Sequence, residues 1–298
     1  MEAAIRRIRD LRIQGARNVA LAGIRILDRF AQKNRESGKS KFLLKMKKEA
    51  LRISSVRATE PSLRNAISCI LFKAAKGADV AEMKKIIHNE SGAFAERMGK
   101  SAARIAELGS KKIRSGDVIF THCHSSTVMG IFKKAKSSGK KFSVIFAETR
   151  PLFQGRITAH ELSAMRIPAT MIVDSAARFF MKDCDLVMMG ADAITAKGAV
   201  VNKIGSSLVA LAAKERKIPV YIAVDSGKMD PSTIKGAHEP IEERPGAEIS
   251  GKIKGIKIRN PAFDVIPPEY VTGIITELGT ISPKKVKSVM KRKFSGMF

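Results

Sequence analysis

The chain has 298 residues, and its 55 Lys and Arg against 28 Asp and Glu give a formal net charge of +27. A hydrophobic content of 44% is typical of globular proteins and excludes a disordered chain. The longest apolar run, around Leu208 to Ala213, is far below the ~18 residues that cross a bilayer, and the N-terminus has no apolar signal segment. We therefore expect a cytoplasmic protein of about two domains.

The positive charge is concentrated at the two ends of the chain. Residues 1–57 carry a net charge of +11 and residues 282–298 carry +6. Such ends attract nucleic acid or phosphate-rich partners, but charge runs are more often solvated surface. Aromatic residues make up only 5% and Trp is absent, so platforms for stacking bases are poorly supported.

The first part of the chain has helical periodicity. Apolar residues recur every three to four positions from Ile5 to Phe30, with a break at Gln14-Gly15-Ala16. Further helices are predicted at Lys41 to Ile53, Pro61 to Ala75, Ala78 to His88 and Ala93 to Lys111. We assign residues 1–111 to an all-helical domain.

The pattern changes after residue 112, where short β-branched runs alternate with helical segments. These runs are Val118 to Phe120, Phe142 to Phe146, Ala169 to Val173, Leu186 to Met189, Val220 to Val224 and Ile274 to Ile275. Such an alternation predicts a Rossmann-like, mainly parallel, doubly wound sheet in residues 112–298, so the fold class is α/β. Polar segments follow five of the runs, and we expect them to converge on one crevice: 121–126, 148–151, 174–175, 190–192 and 225–228.

Cys123 is the first candidate for chemistry, because it follows a strand and precedes a Ser-Ser-Thr helix start. A helix N-terminus and nearby cations lower a thiol pKa, so a thiolate is attainable here, and a buried structural Cys is the alternative. Cys69 and Cys184 fit that structural alternative better. The flanking His122 and His124 form an H-x-H pair, but no further ligands lie at metal-binding spacing, so a metal site is the weaker interpretation.

Asp192 is the second candidate, after Gly190 and Ala191 at the end of another strand. A carboxyl in an apolar crevice donates a proton, whereas an exposed one stays ionised, and sequence does not choose between them. Together, Cys123 and Asp192 offer a base and an acid of different intrinsic pKa, which proton transfer between adjacent carbons requires.

Cations and hydroxyl groups at strand ends suit phosphate groups. The cations are Arg57, Arg150, Arg178, Lys203 and Lys228, and Ser125 and Ser126 open a helix whose N–H groups bind anions. A surface salt bridge is the alternative for each cation. Neither the P-loop pattern nor G-x-G-x-x-G occurs, which argues against nucleotide hydrolysis and dinucleotide binding.

The motifs of the second domain resemble one family. They are the segments 116–125 (GDVIFTHCHS), 148–151 (ETRP), 173–178 (VDSAAR), 189–192 (MGAD), 201–205 (VNKIG) and 260–264 (NPAFD). Together they resemble the archaeal ribose-1,5-bisphosphate isomerases, whose superfamily includes methylthioribose-1-phosphate isomerase and the alpha, beta and delta subunits of translation initiation factor 2B.

The resemblance implies conversion of alpha-D-ribose 1,5-bisphosphate to D-ribulose 1,5-bisphosphate through an enediolate, in archaeal nucleotide (AMP) salvage. It implies Cys123 as proton acceptor and Asp192 as proton donor, with no cofactor or metal. Substrate contacts are implied at Asn202, Lys203, Lys228 and Arg57. The family forms dimers and hexamers, so a homo-oligomer is expected.

Two departures and one rival accompany the resemblance. The family's first phosphate loop usually reads Arg-Gly-Ala-Gly, whereas Gln14, Gly15, Ala16 and Arg17 stand here, so a charge-assisted contact is lost at Gln14 and recovered only if Arg17 replaces it. Ala58 replaces a proline that commonly follows the family arginine. The rival is a non-catalytic regulatory subunit of the initiation-factor type that binds nucleotides or sugar phosphates, and an isomerase of altered specificity is a third possibility. Initiation-factor members typically lack the cysteine, so Cys123 and Asp192 favour the enzyme.

Overall fold

The structure is a computed structural model that describes residues 2–10, 12–13, 15–56, 59, 61–237 and 241–297. Helices fill its first part, as the periodicity predicts. Their bounds are α1 Glu2–Arg9, α2 Ala16–Lys33, α3 Lys39–Ser54, α4 Pro61–Ala74 and α5 Val80–Ser110. Their apolar faces enclose a separate core, which includes Leu27, Phe42, Met46 and Ile67. In the described ranges no helix is long and apolar enough to cross a membrane.

Helix α5 is one continuous element where the sequence predicts two. It begins at Asp79, whose side chain accepts the Glu82 N–H at 2.8 Å. Gly92 interrupts the apolar pattern but lies on the open side of the helix, with no heavy atom within 4 Å of a Cβ built there. Packing of α5 against α2, α4 and α6 outweighs the ~1 kcal/mol that one Gly costs a helix.

The second part of the chain contains a seven-stranded sheet in the described residues, with strand order β10-β9-β7-β4-β1-β2-β3. All neighbouring pairs are parallel except β9 and β10. From β1 the strands run to one side through β2 and β3 and to the other through β4, β7 and β9, so the order reverses between β1 and β4. The strand bounds are β1 Val118–Thr121, β2 Ser143–Ala147, β3 Ala169–Ile172, β4 Leu186–Met189, β7 Val220–Ala223, β9 Gly273–Thr276 and β10 Gly279–Ile281.

A small antiparallel sheet, which the sequence analysis missed, lies beside the main sheet. It has the order β5-β6-β8, with bounds β5 Ala193–Ile194, β6 Val200–Lys203 and β8 Phe263–Ile266. Its strands include Asn202, Lys203 and Asp264, so they do not form the apolar runs that marked the other strands.

Helices cover both faces of the central strands β1, β2, β4, β7 and β9, which explains why these strands are mostly apolar, whereas the outer strand β3 is largely exposed. On β1, Ile119 faces one core and the neighbouring Phe120 faces the other. The helix bounds are α6 Ser126–Ser137, α7 Gly155–Ala164, α8 Ala177–Phe180, α9 Ser206–Glu215 and α10 Val286–Lys293. The predicted α/β class, with helices first and a mainly parallel sheet after them, is confirmed, while the division at residue 111 stays a prediction.

Asn65 on α4 joins the helical part to the sheet. Its buried side chain donates hydrogen bonds of 2.7 Å to the carbonyl oxygens of both Gly227 and Met229. These two residues flank Lys228 in the loop after β7. A helix of the first part therefore fixes one of the loops at the carboxyl edge of the sheet.

Candidate functional site

The five polar segments predicted to converge do meet, through direct contacts. The Cys123 N–H donates to Thr149 Oγ1 at 3.0 Å, and the Thr149 N–H donates to Asp174 Oδ1 at 2.8 Å. A Cβ built on Gly190 would lie 2.6 Å from Ser125 Oγ, so the segments after β1 and β4 are in close contact. Lys228 Nζ donates to the Ala191 carbonyl oxygen at 2.5 Å. These contacts lie at the edge of the sheet where the strand order reverses, the usual ligand position in a doubly wound sheet.

Cys123 is half-buried and has a left-handed backbone with φ of 63°. Burial raises the pKa of its thiol to about 11, while the charge of Lys203 opposes that rise. The expectation of a lowered thiol pKa is therefore wrong. Helix α6 begins only at Ser126, so Cys123 lies three residues before its first turn, and burial outweighs the nearby cation.

Asp192 lies close enough to Cys123 for its negative charge to raise the thiol pKa as well. Its side chain is half-buried, and its N–H donates to the Val201 carbonyl oxygen at 2.8 Å, which ties the segment after β4 to the small sheet. A thiol and a carboxyl group thus follow the two strands that flank the reversal in strand order. One accepts and the other donates a proton if a substrate lies between them.

Lys203 and Lys228 supply positive charge near this pair. Lys203 ends β6, its Nζ lies 5.0 Å from the centre of the Phe263 ring, and its charge acts on Cys123. Lys228 contacts the carbonyl group that precedes Asp192. Two cations beside a proton-transfer pair match the needs of an anionic substrate.

Asn202 and the start of α6 have further roles. Asn202 is buried, and its Nδ2 donates to Ser206 Oγ at 2.8 Å, so its amide holds the loop between β6 and α9. Ser125 is the N-cap of α6 and accepts the Val128 N–H at 3.4 Å, while Ser126 is exposed. Helix α6 therefore begins beside Gly190, and a helix N-terminus is a place where N–H groups bind anions.

Other predicted residues are not joined to the pair by side-chain contacts in the described chain. Arg150 is exposed, and its guanidinium donates to the Ile249 carbonyl oxygen at 3.2 Å and stacks 4.9 Å from the Phe153 ring centre. Arg178 forms an exposed 2.7 Å ion pair with Glu215, as its structural alternative predicted.

The predicted phosphate loop lies at the start of α2. Gly15 has a φ of 81° in open surroundings, Ala16 is buried, and Arg17 is exposed. Gln14 and Arg57 lie outside the described residues. The role of this loop stays a prediction.

Thr149, Asp174 and Asp264 were missed as parts of the site. Thr149 is buried with φ of 63°, and Asp174 accepts the N–H groups of both Thr149 and Arg150. Asp264 caps α9 by accepting N–H bonds from Gly205 at 2.9 Å and Ser207 at 3.1 Å, and burial raises its pKa. Each had a signal, because Thr149 lies in the ETRP segment, Asp174 in the VDSAAR segment and Asp264 at the end of the NPAFD segment.

The two histidines of the H-x-H pair point to different partners. His122 Nε2 lies 2.8 Å from the Ile204 carbonyl oxygen, whereas His124 Nε2 lies 3.5 Å from Glu161. Burial lowers the pKa of both imidazoles. Within the described ranges no three His, Cys, Asp or Glu side chains are grouped to hold a metal ion.

Comparison with known proteins identifies the family of the chain. Residues 12–283 match the Initiation factor 2 subunit family. Ribose 1,5-bisphosphate isomerase of Thermococcus kodakarensis is 40% identical, over 97% of this chain and 92% of that protein, and the enzyme of the same name from Pyrococcus furiosus is 39% identical, over 98% and 93%. The solved structure of the Pyrococcus horikoshii translation initiation factor eIF-2B is 33% identical with a TM-score of 0.80, covering 95% of this chain and 97% of that one. The chain belongs to the Initiation factor 2 subunit family.

Proposed function

We propose that this protein is an isomerase that converts alpha-D-ribose 1,5-bisphosphate to D-ribulose 1,5-bisphosphate. Relatives at 40% and 39% identity over nearly the whole chain bear the name of this activity. The observation that carries the proposal is the closeness of the Cys123 thiol to the Asp192 carboxylate and to Lys203 at one crevice. A protein that only binds sugar phosphates has no need of a thiol and a carboxyl group in that arrangement.

The reaction needs one base and one acid. Asp192, in its acid form, donates a proton to the ring oxygen as the C1–O4 bond breaks, and the Cys123 thiolate removes the C2 proton, which leaves a C1=C2 double bond. The Asp192 carboxylate then takes the proton of the O2 hydroxyl group, giving the enediolate. The Cys123 thiol returns its proton to C1, C2 becomes the carbonyl carbon, and both side chains regain their starting states.

Stabilisation of the enediolate falls to the cations. Lys203 acts on the same space as the Cys123 thiol, so its charge also favours an oxyanion that forms at O2. Burial strengthens this effect because water screens the charges less. The raised pKa of the Cys123 thiol and the stabilisation of the oxyanion at O2 therefore have the same cause, which is the exclusion of water by burial.

The two phosphate groups require separate contacts. We assign one to Ser125, Ser126 and the N–H groups at the start of α6, where a helix N-terminus favours an anion. Lys228 and Asn202 complete the contacts of the sheet part, with Arg150 at its edge. The segment Gln14-Gly15-Ala16-Arg17 and Arg57 would hold the other phosphate from the helical part, with Arg17 replacing the guanidinium that Gln14 lacks.

A second copy of the chain is proposed as a partner, in the cytoplasm. Phe179 on α8 is 66% exposed and Leu208 on α9 is 68% exposed, and α8 contacts α9. Met171 and Val173 are also exposed at β3, the outer strand of the described sheet. An open strand edge beside exposed apolar side chains is typical of a covered interface. Leu208→Glu should therefore lower the mass found by light scattering, and an unchanged mass would contradict this interface.

The test of the function uses the purified full-length chain and ribose 1,5-bisphosphate, with the ketose detected by ¹³C NMR. We expect turnover in the wild type and a loss of at least about 10³-fold in Cys123→Ser and in Asp192→Asn. Cys69→Ser, a half-buried thiol on α4, is the matched control and should keep wild-type turnover. Absent turnover in the wild type, or full turnover in both site variants, would refute the isomerase and leave a binding subunit as the better account.

A further inference from the structure

His122 is a buried titratable side chain that the proposed reaction does not use. It directly precedes Cys123, and only 2% of its surface is exposed. Its Nε2 lies 2.8 Å from the Ile204 carbonyl oxygen, so this nitrogen donates the hydrogen bond and carries the proton. Its Nδ1 is buried, has no hydrogen-bond partner among the residues that the structure describes, and lies 3.8 Å from Asp174 Oδ1.

The hydrogen bond of His122 joins two loops that carry site residues. One is the segment after β1, with Cys123, and the other is the loop that begins directly after Lys203, the last residue of β6. The contact is close, because a Cβ on Gly205 would lie only 3.2 Å from His122 Nε2. The imidazole therefore fills the space between the two loops.

A second hydrogen bond holds the same turn from the other side. The Cys123 N–H donates to Thr149 Oγ1 at 3.0 Å, and both residues have φ of 63°. Left-handed backbone is unfavourable for residues other than Gly and persists only where surrounding contacts enforce it. Cys123 thus lies in a strained turn, fixed by Thr149 on one side and by His122 on the other.

We propose that His122 is a positioning residue, whose Nε2–H bond to the Ile204 carbonyl oxygen sets the place of Cys123 relative to Lys203. This inference rests on the proposed function, since it assigns His122 to the same reaction. The charged groups that act on the imidazole are Asp174, Asp264 and Lys203.

Two conservative variants separate this role from simple filling of space. In His122→Gln the side-chain amide reaches the position of Nε2 and keeps the donor to Ile204. In His122→Asn the shorter side chain leaves that carbonyl oxygen without its donor. We expect kcat of His122→Gln to stay within about threefold of wild type, and kcat of His122→Asn to fall by about 10²-fold with a smaller change in KM, since a displacement of about 1 Å costs this much. His160→Asn, on the exposed face of α7, is the control and should match wild type.

Alkylation of Cys123 by iodoacetamide gives a readout that needs no substrate. If Cys123 moves away from Lys203, its thiolate loses the stabilising charge of that lysine. Alkylation at pH 9 should therefore slow several-fold in His122→Asn and not in His122→Gln. Wild-type kcat and alkylation in His122→Asn, or equal impairment of both variants, would overturn the proposal. If the wild type alkylates as expected but shows no isomerase activity, the proposed function fails and the positioning role is still decided by alkylation.

NMR of the wild type decides the question even if His122→Asn does not fold. In protein labelled with ¹⁵N-histidine, we expect His122 to carry its proton on Nε2, with slow exchange against solvent. A proton on Nδ1 alone, or a rapidly exchanging Nε2–H, would overturn the proposed bond to Ile204.

Discussion

Substitution of Gly190 by Ala tests how closely the segments after β1 and β4 approach each other. A Cβ at this position would lie 2.6 Å from Ser125 Oγ and 2.9 Å from Ser125 Cβ. Ordinary contacts between such atoms are about 3.5 Å or longer, so one of the two segments must move by nearly 1 Å. Gly190 does not have positive φ, so this contact and not backbone strain sets the effect.

The size of the effect follows from that displacement. Overpacking of a buried site costs about 2 kcal/mol, or a decrease in Tm of roughly 5 °C for a chain of this size. Activity should fall further, by about 10²-fold in kcat/KM, because Ser125 caps the helix assigned to a substrate phosphate. Thermal unfolding and turnover of ribose 1,5-bisphosphate measure the two effects separately.

Two further variants make this prediction specific. The control is Gly130→Ala, in helix α6, where an added Cβ would have its nearest neighbour at 4.0 Å. This variant should leave turnover unchanged and leave Tm unchanged or raise it slightly. Adding Ser125→Gly to Gly190→Ala removes both clashing atoms and, since Gly is tolerated as an N-cap, should restore Tm without restoring turnover. Wild-type Tm and turnover in Gly190→Ala, or no recovery of Tm in the double variant, would refute the reasoning.

Three more predictions concern charges and one buried tie. Iodoacetamide alkylation of Cys123 should rise about tenfold per pH unit from 7 to 10 without levelling off, because burial places the thiol pKa at about 11; a plateau near neutrality would contradict this. At pH 9, Lys203→Met should slow this alkylation and Asp192→Asn should accelerate it, each by roughly three- to tenfold, because a cation stabilises the thiolate and a carboxylate destabilises it. If both variants changed the rate in the same direction, the placement of Lys203 and Asp192 near the thiol would be contradicted. Asn65→Leu leaves the carbonyl oxygens of Gly227 and Met229 without the Asn65 donor, so the free energy of unfolding measured in urea should fall by about 2 to 3 kcal/mol. The KM should rise, because the same hydrogen bonds hold the loop of Lys228. An unchanged free energy of unfolding would contradict the stabilising role of these two hydrogen bonds.

Much of the fold could be predicted because its signals are local. Strands buried on both faces form continuous apolar runs, and six of these runs located strands of the main sheet. The small sheet could not be found in this way, because Asn202, Lys203 and Asp264 break its apolar pattern. Helix α5 was divided at Gly92 because sequence does not show that its neighbours hold it straight.

The site was predictable to the extent that parallel strands bring their carboxyl ends together. Cys123 and Asp192 follow adjacent strands, which is enough to predict that they meet. Thr149 and His122 act through single hydrogen bonds between loops, and such bonds leave no periodic pattern in the sequence. Arg150 shows the reverse case, because its place after a strand suggested a phosphate contact while its side chain extends to Ile249 and Phe153.

The state of Cys123 shows why position in the sequence is a poor guide to thiol pKa. Helix α6 and nearby cations were expected to lower the thiol pKa, yet Cys123 precedes the first turn of α6 and has a left-handed backbone. Burial, Asp192 and Asp174 favour the thiol, whereas Lys203 and a hydrogen bond from the His124 N–H favour the thiolate. Formation of the Cys123 thiolate, the base of the proposed first step, therefore depends on the positive charge of Lys203.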